Sequence, residues 1–585
     1  MTALPTRAGR RVGRPPAAVV ATLLTAAGLA GLWLAAPSMG TDLSAQMARA
    51  DFFAAHGWTP LDLRWYGGVS PHGYSLLTPP LMAWFGPRPV GAAAVVVSAW
   101  ALVGLFRRTG ATRPLLGGVL GAVGFAGNLV SGRVTFAVGV ALGLCALLLL
   151  APPPPAAQPG PGDSGRARRF RYVLAAALAV LTAAASPVAG LFLGLAGTAL
   201  VLSAARPARG TRLRAGAGRV VVGGAVVAVA AAVPMAVMAA GFGAGGWMNI
   251  SRSDMIHATL TSLAVAVLVR RPALRTGALL SAAGVLAAYL LTTPVGLNAT
   301  RLATMFALPV VAAYAVVPAW PRRRAAGDGA AGADGADRAD GADRADGADG
   351  AAGWRRVWLA PVLVALALWQ PPFIYQDLAG AGDPAADPAF FAPLRAELAS
   401  RPLAGRVEVV PTVGYWEVAH LDRVPLARGW LRQADLARDP LFFDGSLDAD
   451  SYRRWLHANA VSYVALPEGA VSWVGRREAE LIRGGLPYLT VVWRHPDWTL
   501  YAVTGSPPIV AEPARAGGGD AATVAFEATA PGEFLLRVRW SRWLTVTGPG
   551  NPCLLPAGEW TLVRVDRPGG YQVSSALLSP GPRCG

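Results

Sequence analysis

Apolar segments of membrane-spanning length recur along this chain, and few folds can absorb so many of them. They fall near residues 17–37, 78–106, 114–130, 134–151, 171–185, 187–205, 218–240, 256–270, 275–293, 302–320 and 355–373. A span needs roughly 17–25 mostly apolar residues, so the pattern predicts a mainly α, polytopic helical membrane domain of about eleven helices. Ser186-Pro187 interrupts the stretch 171–205, which reads either as two spans or as one broken helix. The first segment lacks a small-x-small cleavage pattern after its apolar core and reads as an anchor rather than a signal peptide.

The loops between these segments supply a direction. Arginines cluster at Arg7–Arg14, Arg107–Arg113, Arg166–Arg171, Arg206–Arg219, Arg270–Arg275 and Arg322–Arg324, in every second loop. By the positive-inside rule those loops are cytoplasmic, so the N-terminus is inside and everything after residue 373 is extracytoplasmic. The formal net charge of +18 sits in these clusters, and the chain has no lysine. A charge so placed implies a lipid bilayer as partner and a multi-pass protein of the plasma membrane, not a nucleic-acid binder. Residues 325–353, an Ala/Asp/Gly/Arg repeat, cannot pack a core and read as a disordered cytoplasmic linker.

The opposite loops carry few arginines: Arg49, Arg64, Arg88, Arg133, Arg252 and Arg301. Arg88 reads as a snorkelling side chain. Arg133 and Arg301 lie at the membrane edge, where charge costs free energy unless it lines a polar cavity or meets an anion. A shared external cavity and simple helix-end anchoring are both open for them.

The large external loop, 38–88, gathers acids, arginines, aromatics, Gly/Pro turns and the histidines His56 and His72. If DLSAQMARADFF is helical, Asp42, Gln46 and Arg49 share one face, and Asp51 lies opposite. Asp42 suits a general base, an oxygen ligand to a divalent cation, or the N-cap of a juxtamembrane helix. Trp65, Tyr66 and Tyr74 suit stacking on sugar rings or an interfacial aromatic belt. Arg64 and His72 complete the candidate substrate-binding set in this loop. No histidine or cysteine spacing marks a metal site.

After the last span, GRVEVVPT, AVSYVALP and WTLYAVTG read as strands. SLDADSYRRWLHANA reads as a helix, with Asp448 or Asp450 near its start and Tyr452, Trp455 and Leu456 on its apolar side. Residues 376–510 therefore form an extracytoplasmic α/β domain, and 511–585 a small C-terminal β-sandwich of short strands between Gly/Pro turns. Cys553 and Cys584 can pair if that end faces an oxidising compartment. LARGWLRQAD brings together Arg428, Trp430 and Arg432, either as a sugar- or phosphate-binding loop or as a structural salt-bridge motif.

The order of elements resembles the GT-C superfamily of membrane glycosyltransferases. TDLSAQMARADFF, RWYGGVSPHGYSLLTPPL, GNLVSGRVTFAVG, SPVAGLFL, PVGLNATRL and LARGWLRQAD look more closely like actinobacterial multispanning proteins, some of them labelled 6-pyruvoyl-tetrahydropterin synthase-related. The superfamily resemblance implies a polyprenyl-phosphate-linked sugar donor and an envelope glycan, lipid or protein acceptor. It also implies a catalytic acid near the end of the first span, the position of Asp42. No D-x-D or D-E pair follows that span, so the cofactor, a divalent cation or none, is left open. A transporter fits less well, because the spans show no internal repeat and almost no acids. A non-catalytic envelope-binding membrane protein is the third reading.

Overall fold

The computed structural model describes residues 16–152, 164–205, 217–243, 246–315, 359–578 and 581–584. The arginines at 7–14, 206–214 and 322–324, the repeat at 325–353 and the predicted span ends at 316–320 and 355–358 lie outside them.

A helix occupies every segment read as a span. These are α1 (Ala17–Ala35), then α4 (Pro87–Arg108), α5 (Pro114–Val130), α6 (Val134–Leu150), α7 (Ser164–Ala185), α8 (Pro187–Ala205), α9 (Ala217–Phe242), α10 (Arg252–Leu268), α11 (Pro272–Leu290), α12 (Arg301–Tyr314) and α13 (Leu359–Trp369). Between the first two lie α2 (Leu43–His56) and the short α3 (Thr78–Phe85). Six described helical stretches are long and apolar enough to cross a membrane: α1, α4, α8, α9, α11 and Gly296–Tyr314. α5, α6 and α13 are shorter apolar helices. The segment 78–106 is not one helix but two. Gly86, at φ +80°, breaks it, and Pro87 starts α4 where a missing N–H costs nothing. α8 and α9 approach so closely that a Cβ on Gly197 would meet the Gly224 carbonyl oxygen at 2.5 Å.

At one end of the bundle, arginines bond the last carbonyls of neighbouring helices. Arg108 donates to Leu148 O at 2.8 Å, Arg113 to Ala312 O at 2.9 Å, and Arg171 to Ala151 O at 2.6 Å. Cations placed there satisfy orphan carbonyls and the negative end of the helix dipole.

The C-terminal region carries two β units. In the first, the sheet order is β1-β2-β4-β3, from β1 (Arg406–Val409), β2 (Val461–Pro467), β3 (Leu489–His495) and β4 (Trp498–Val503). β1 pairs parallel with β2, and the other pairs are antiparallel. Asp448 caps the helix Ala449–Ala458 in a capping box with Ser451, and Tyr452, Trp455 and Leu456 are its buried side. The second unit stacks a three-stranded antiparallel sheet, within 532–565, on a four-stranded one, within 515–575. Leu61 and Leu63 of the loop 38–88 enter its core beside Phe526, Phe534 and Tyr571. Cys553 and Cys584 form a disulfide.

Loop 38–88 and the C-terminal region share one face of the helix bundle. Ser44 Oγ donates to Gly414 O at 2.8 Å, Leu426 N to Arg64 O at 2.7 Å, and Arg539 N to Gly67 O at 2.8 Å.

Candidate active site beside Asp42

Two tight loops meet backbone to backbone where α1 gives way to α2 and α5 to α6. Gly40 has φ +94°, and a Cβ there would lie 2.4 Å from Ser131 C. Gly132 has φ +75°, and a Cβ there would lie 2.3 Å from Leu43 N. Only glycine permits both this conformation and this approach. The contact is closed by Asp42 N donating to Ser131 O at 3.1 Å.

Asp42 takes the N-cap position of α2, yet its side chain does not cap the helix. Its carboxylate turns instead to two partners from distant parts of the chain. Oδ2 accepts from Arg133 Nε at 3.1 Å, and Oδ1 accepts from Trp430 Nε1 at 3.1 Å. The Asp42 side chain stays about one-fifth exposed, at 20%. Trp430 is held by a 3.9 Å stack on Tyr415, and its carbonyl accepts from Arg49 at 3.2 Å.

One turn along α2, Gln46 is fully buried. Its Oε1 accepts from Thr135 Oγ1 at 2.5 Å and its Nε2 donates to Tyr74 OH at 3.4 Å. The Arg49 guanidinium lies 3.8 Å above the Tyr74 ring. Helical spacing thus places Asp42, Gln46 and Arg49 together, as the sequence predicted.

Arg133 precedes α6, so its side chain starts at a helix N-terminus, where the dipole favours anions, and Arg301 follows directly on the single 3-10 turn Gly296–Thr300 that leads into α12. Arg301 packs 5.2 Å from the Phe136 ring, with Arg133, Asp42 and Tyr74 as its electrostatic neighbours. Among the described residues Arg301 has neither an ion pair nor a side-chain hydrogen bond. The Asp42 carboxylate therefore has two guanidiniums as neighbours, of which it pairs with Arg133.

Asp377, in the short helix Tyr375–Ala379 that follows α13, is a carboxylate that sequence reasoning missed. It is 4% exposed, and its Oδ1 accepts from Thr41 N at 3.2 Å, next to Asp42. Its Oδ2 has no hydrogen-bond partner. Burial raises its pKa above the usual carboxylate range, against the nearby Ser131 hydroxyl and the charge of Arg133. The signal was its place just beyond the last span, the mirror of Asp42 after the first.

The other predicted residues are placed elsewhere. Arg64 is buried in an ion pair with Asp62 at 2.8 Å. Tyr66 donates to Asp435 Oδ1 at 2.8 Å, and burial drives its pKa well above the usual phenol value. His72 packs 5.0 Å from Phe242 with Nε2 3.3 Å from Trp58 O, and burial lowers its pKa. Arg428 is enclosed by Glu408 and Glu478, the structural alternative for its loop. Arg432 stacks 5.1 Å from Trp430 and donates to Tyr415 OH at 3.3 Å, next to the Asp42 group.

No family model matches this sequence, and no curated protein does. Among solved structures, the mycobacterial arabinofuranosyltransferase AftD aligns at 18% identity over 88% of this chain, with a TM-score of 0.42. The chain spans only 41% of that protein's length. ArnT from Cupriavidus metallidurans, bound to undecaprenyl phosphate, aligns at 16% identity over 83% of this chain and 98% of its own, with a TM-score of 0.45. An Archaeoglobus fulgidus oligosaccharyltransferase in complex with zinc and sulfate aligns at 12% identity over 83% of this chain and 73% of its own, with a TM-score of 0.41.

Proposed function

We propose that this chain is a GT-C-type membrane glycosyltransferase that transfers a sugar from a polyprenyl-phosphate-linked donor to an envelope glycan, lipid or protein. The observation that carries this reading is the convergence of Arg133 and Arg301 on Asp42, with Arg301 left without a partner among the described residues. A guanidinium pair is suited to a phosphate leaving group. The carboxylate beside it is suited to take a proton from an acceptor hydroxyl.

In this mechanism the acceptor oxygen attacks the anomeric carbon as Asp42 receives its proton. The bond from that carbon to the phosphate oxygen breaks, and the electron pair leaves with the polyprenyl phosphate. Arg133 and Arg301 stabilise the charge that develops there. Trp430 and Arg133 hold the Asp42 carboxylate, and Gln46 fixes the helix face that carries it. The reading includes about eleven crossings, a cytoplasmic N-terminus, and loop 38–88 and the C-terminal region outside the plasma membrane. The kinship with actinobacterial proteins labelled 6-pyruvoyl-tetrahydropterin synthase-related belongs to it as well.

A divalent cation is a second reading, favoured by the unpartnered Asp377 oxygen near Asp42. Asp42 and Asp377 would hold it, and it would supply a Lewis acid for the donor phosphate. The two guanidiniums beside them oppose a cation, so the base reading ranks first. Among the described residues no group of three or more His, Cys, Asp or Glu is placed to bind a metal.

The test is D42N in a strain whose envelope glycans change when the gene is deleted. D42N is expected to reproduce the deletion profile while the protein accumulates normally. An unchanged profile overturns the catalytic assignment.

A further inference from the structure

A polar cavity, of about 270 Å3, lies where the loop 38–88, the C-terminal end of α9 and the β-sandwich meet. None of its lining residues belongs to the Asp42 group. Arg438, Arg539 and Arg542 line it together with Trp540, Trp543 and Ser70. Ser70 Oγ is shut from solvent without a hydrogen-bond partner.

Two of the three guanidiniums make no direct ion pair among the described residues. Arg438 donates to Gly68 O at 3.1 Å, and Arg542 to Ala240 O at 2.8 Å. Neither has a carboxylate partner among the described residues. Arg539 gives Nε to Tyr66 O at 2.7 Å and pairs with Glu559, which is 54% exposed. Burial first, and then the charge of Arg539, push Arg438 down to about 10, against the charges of Asp439 and Glu559.

The walls are braced. Trp543 Nε1 donates to Gly241 O at 3.2 Å, which ties the sandwich to the end of α9. The disulfide holds the C-terminal tail so that Arg583 lies 4.6 Å over Trp540 and donates to Arg542 O at 2.7 Å. Small-ligand sites run roughly 300–1,000 Å3, so this volume suits about one sugar ring and no lipid chain. Guanidiniums recognise carboxylate or phosphate, and indoles offer flat faces to the C–H side of a pyranose.

We infer that this cavity binds an anionic sugar residue, a uronate or sugar phosphate, as a site separate from the Asp42 centre. The inference stands without the transferase reading.

The experiment is calorimetric titration of the full-length protein in nanodiscs with a galacturonate tetrasaccharide, its neutral galactose counterpart and inorganic phosphate. The acidic tetrasaccharide is expected to bind at least about tenfold more tightly than the neutral one, and R542Q to weaken it about tenfold or more. R438Q is the second variant, and D42N is expected to leave the affinity unchanged. Presenting galacturonate on a lipid in the same discs tells a membrane-borne ligand from a soluble one, and preferred binding of either supports the site. The inference is overturned if neutral and acidic sugars bind alike, if phosphate alone binds as tightly as the acidic sugar, or if both arginine variants bind as wild type.

Discussion

Replacing Arg428 with methionine keeps a long side chain and removes its charge. In the native protein that guanidinium bonds Glu408 and Glu478, which are fully buried, and lies 3.7 Å from the Phe442 ring. Tyr452 OH donates to the other oxygen of Glu478 at 2.7 Å. R428M leaves two carboxylates in the core with no cation between them, a change that costs about 3–5 kcal/mol. For a domain of some 150–250 residues this corresponds to a fall of roughly 6–20 °C in Tm, read by differential scanning fluorimetry on the full-length protein. The pH dependence follows. Burial already holds the Glu408 pKa well above its ordinary value, and losing Arg428 raises it further. A carboxylate whose pKa is higher folded than unfolded gives stability below its unfolded value and loses it as pH rises through the folded value. The R428M defect is therefore expected to be smaller at pH 5 than at pH 8, and E408Q in the same chain to recover part of it. A Tm within about 2 °C of wild type at both pH values would refute this account and return Arg428 to the list of ligand-binding residues.

Glu417 is buried with its pKa raised to about 7, by burial first, against hydrogen bonds from Thr412. Stability is expected to fall as pH rises from 4.5 to about 7 and to level off above it, and E417Q to flatten that limb in a thermal scan. Cys553 and Cys584 enclose a separation of 31 residues, so C553S is expected to cost about 3–4 kcal/mol, seen as earlier urea unfolding of the C-terminal sheets. R301Q, at the proposed phosphate, is expected to lower transfer about tenfold to a hundredfold without changing Tm, measured with a polyprenyl-phosphate-linked sugar.

Much of the helical domain is legible in the sequence because membrane burial is a local property, summed over twenty or so neighbours. The start of the Ala449–Ala458 helix is legible for the same reason, since the cap and its partner are three residues apart. The face shared by Asp42, Gln46 and Arg49 follows from helical period alone. What closes the site is not local. The Trp430 N–H that reaches Asp42 is 388 residues away, and the Ser131 carbonyl that fixes the Asp42 amide belongs to another helix pair. Nothing local distinguishes Asp377 from any other acid, and only the fold brings the Thr41 amide to it. The strand Arg515–Gly519, RAGGG, has no alternation to detect, and pairing with the strand Val524–Ala528 makes it a strand. Arg428 showed its type but not its enclosure, because both acids that hold it come from other elements.

The same long-range tie gives the sharpest check on the proposed chemistry. Trp430 joins the C-terminal region to Asp42 through one hydrogen bond and keeps its place by stacking on Tyr415. W430F preserves an aromatic ring for that stack and deletes the N–H. If Trp430 only braces the domain interface, thermal stability falls and transfer per folded molecule stays the same. If it aims the base, the protein folds normally and kcat drops, while the donor KM barely moves. A hydrogen bond to a charged acceptor is worth about 1.5–3 kcal/mol, which converts to a loss of about ten- to hundredfold in kcat. Asp42 keeps its bond to Arg133 in that variant, so the loss should stay well short of D42N. A W430F protein as inactive as D42N, or one altered only in KM, would mean that the carboxylate is not the group that takes the acceptor's proton.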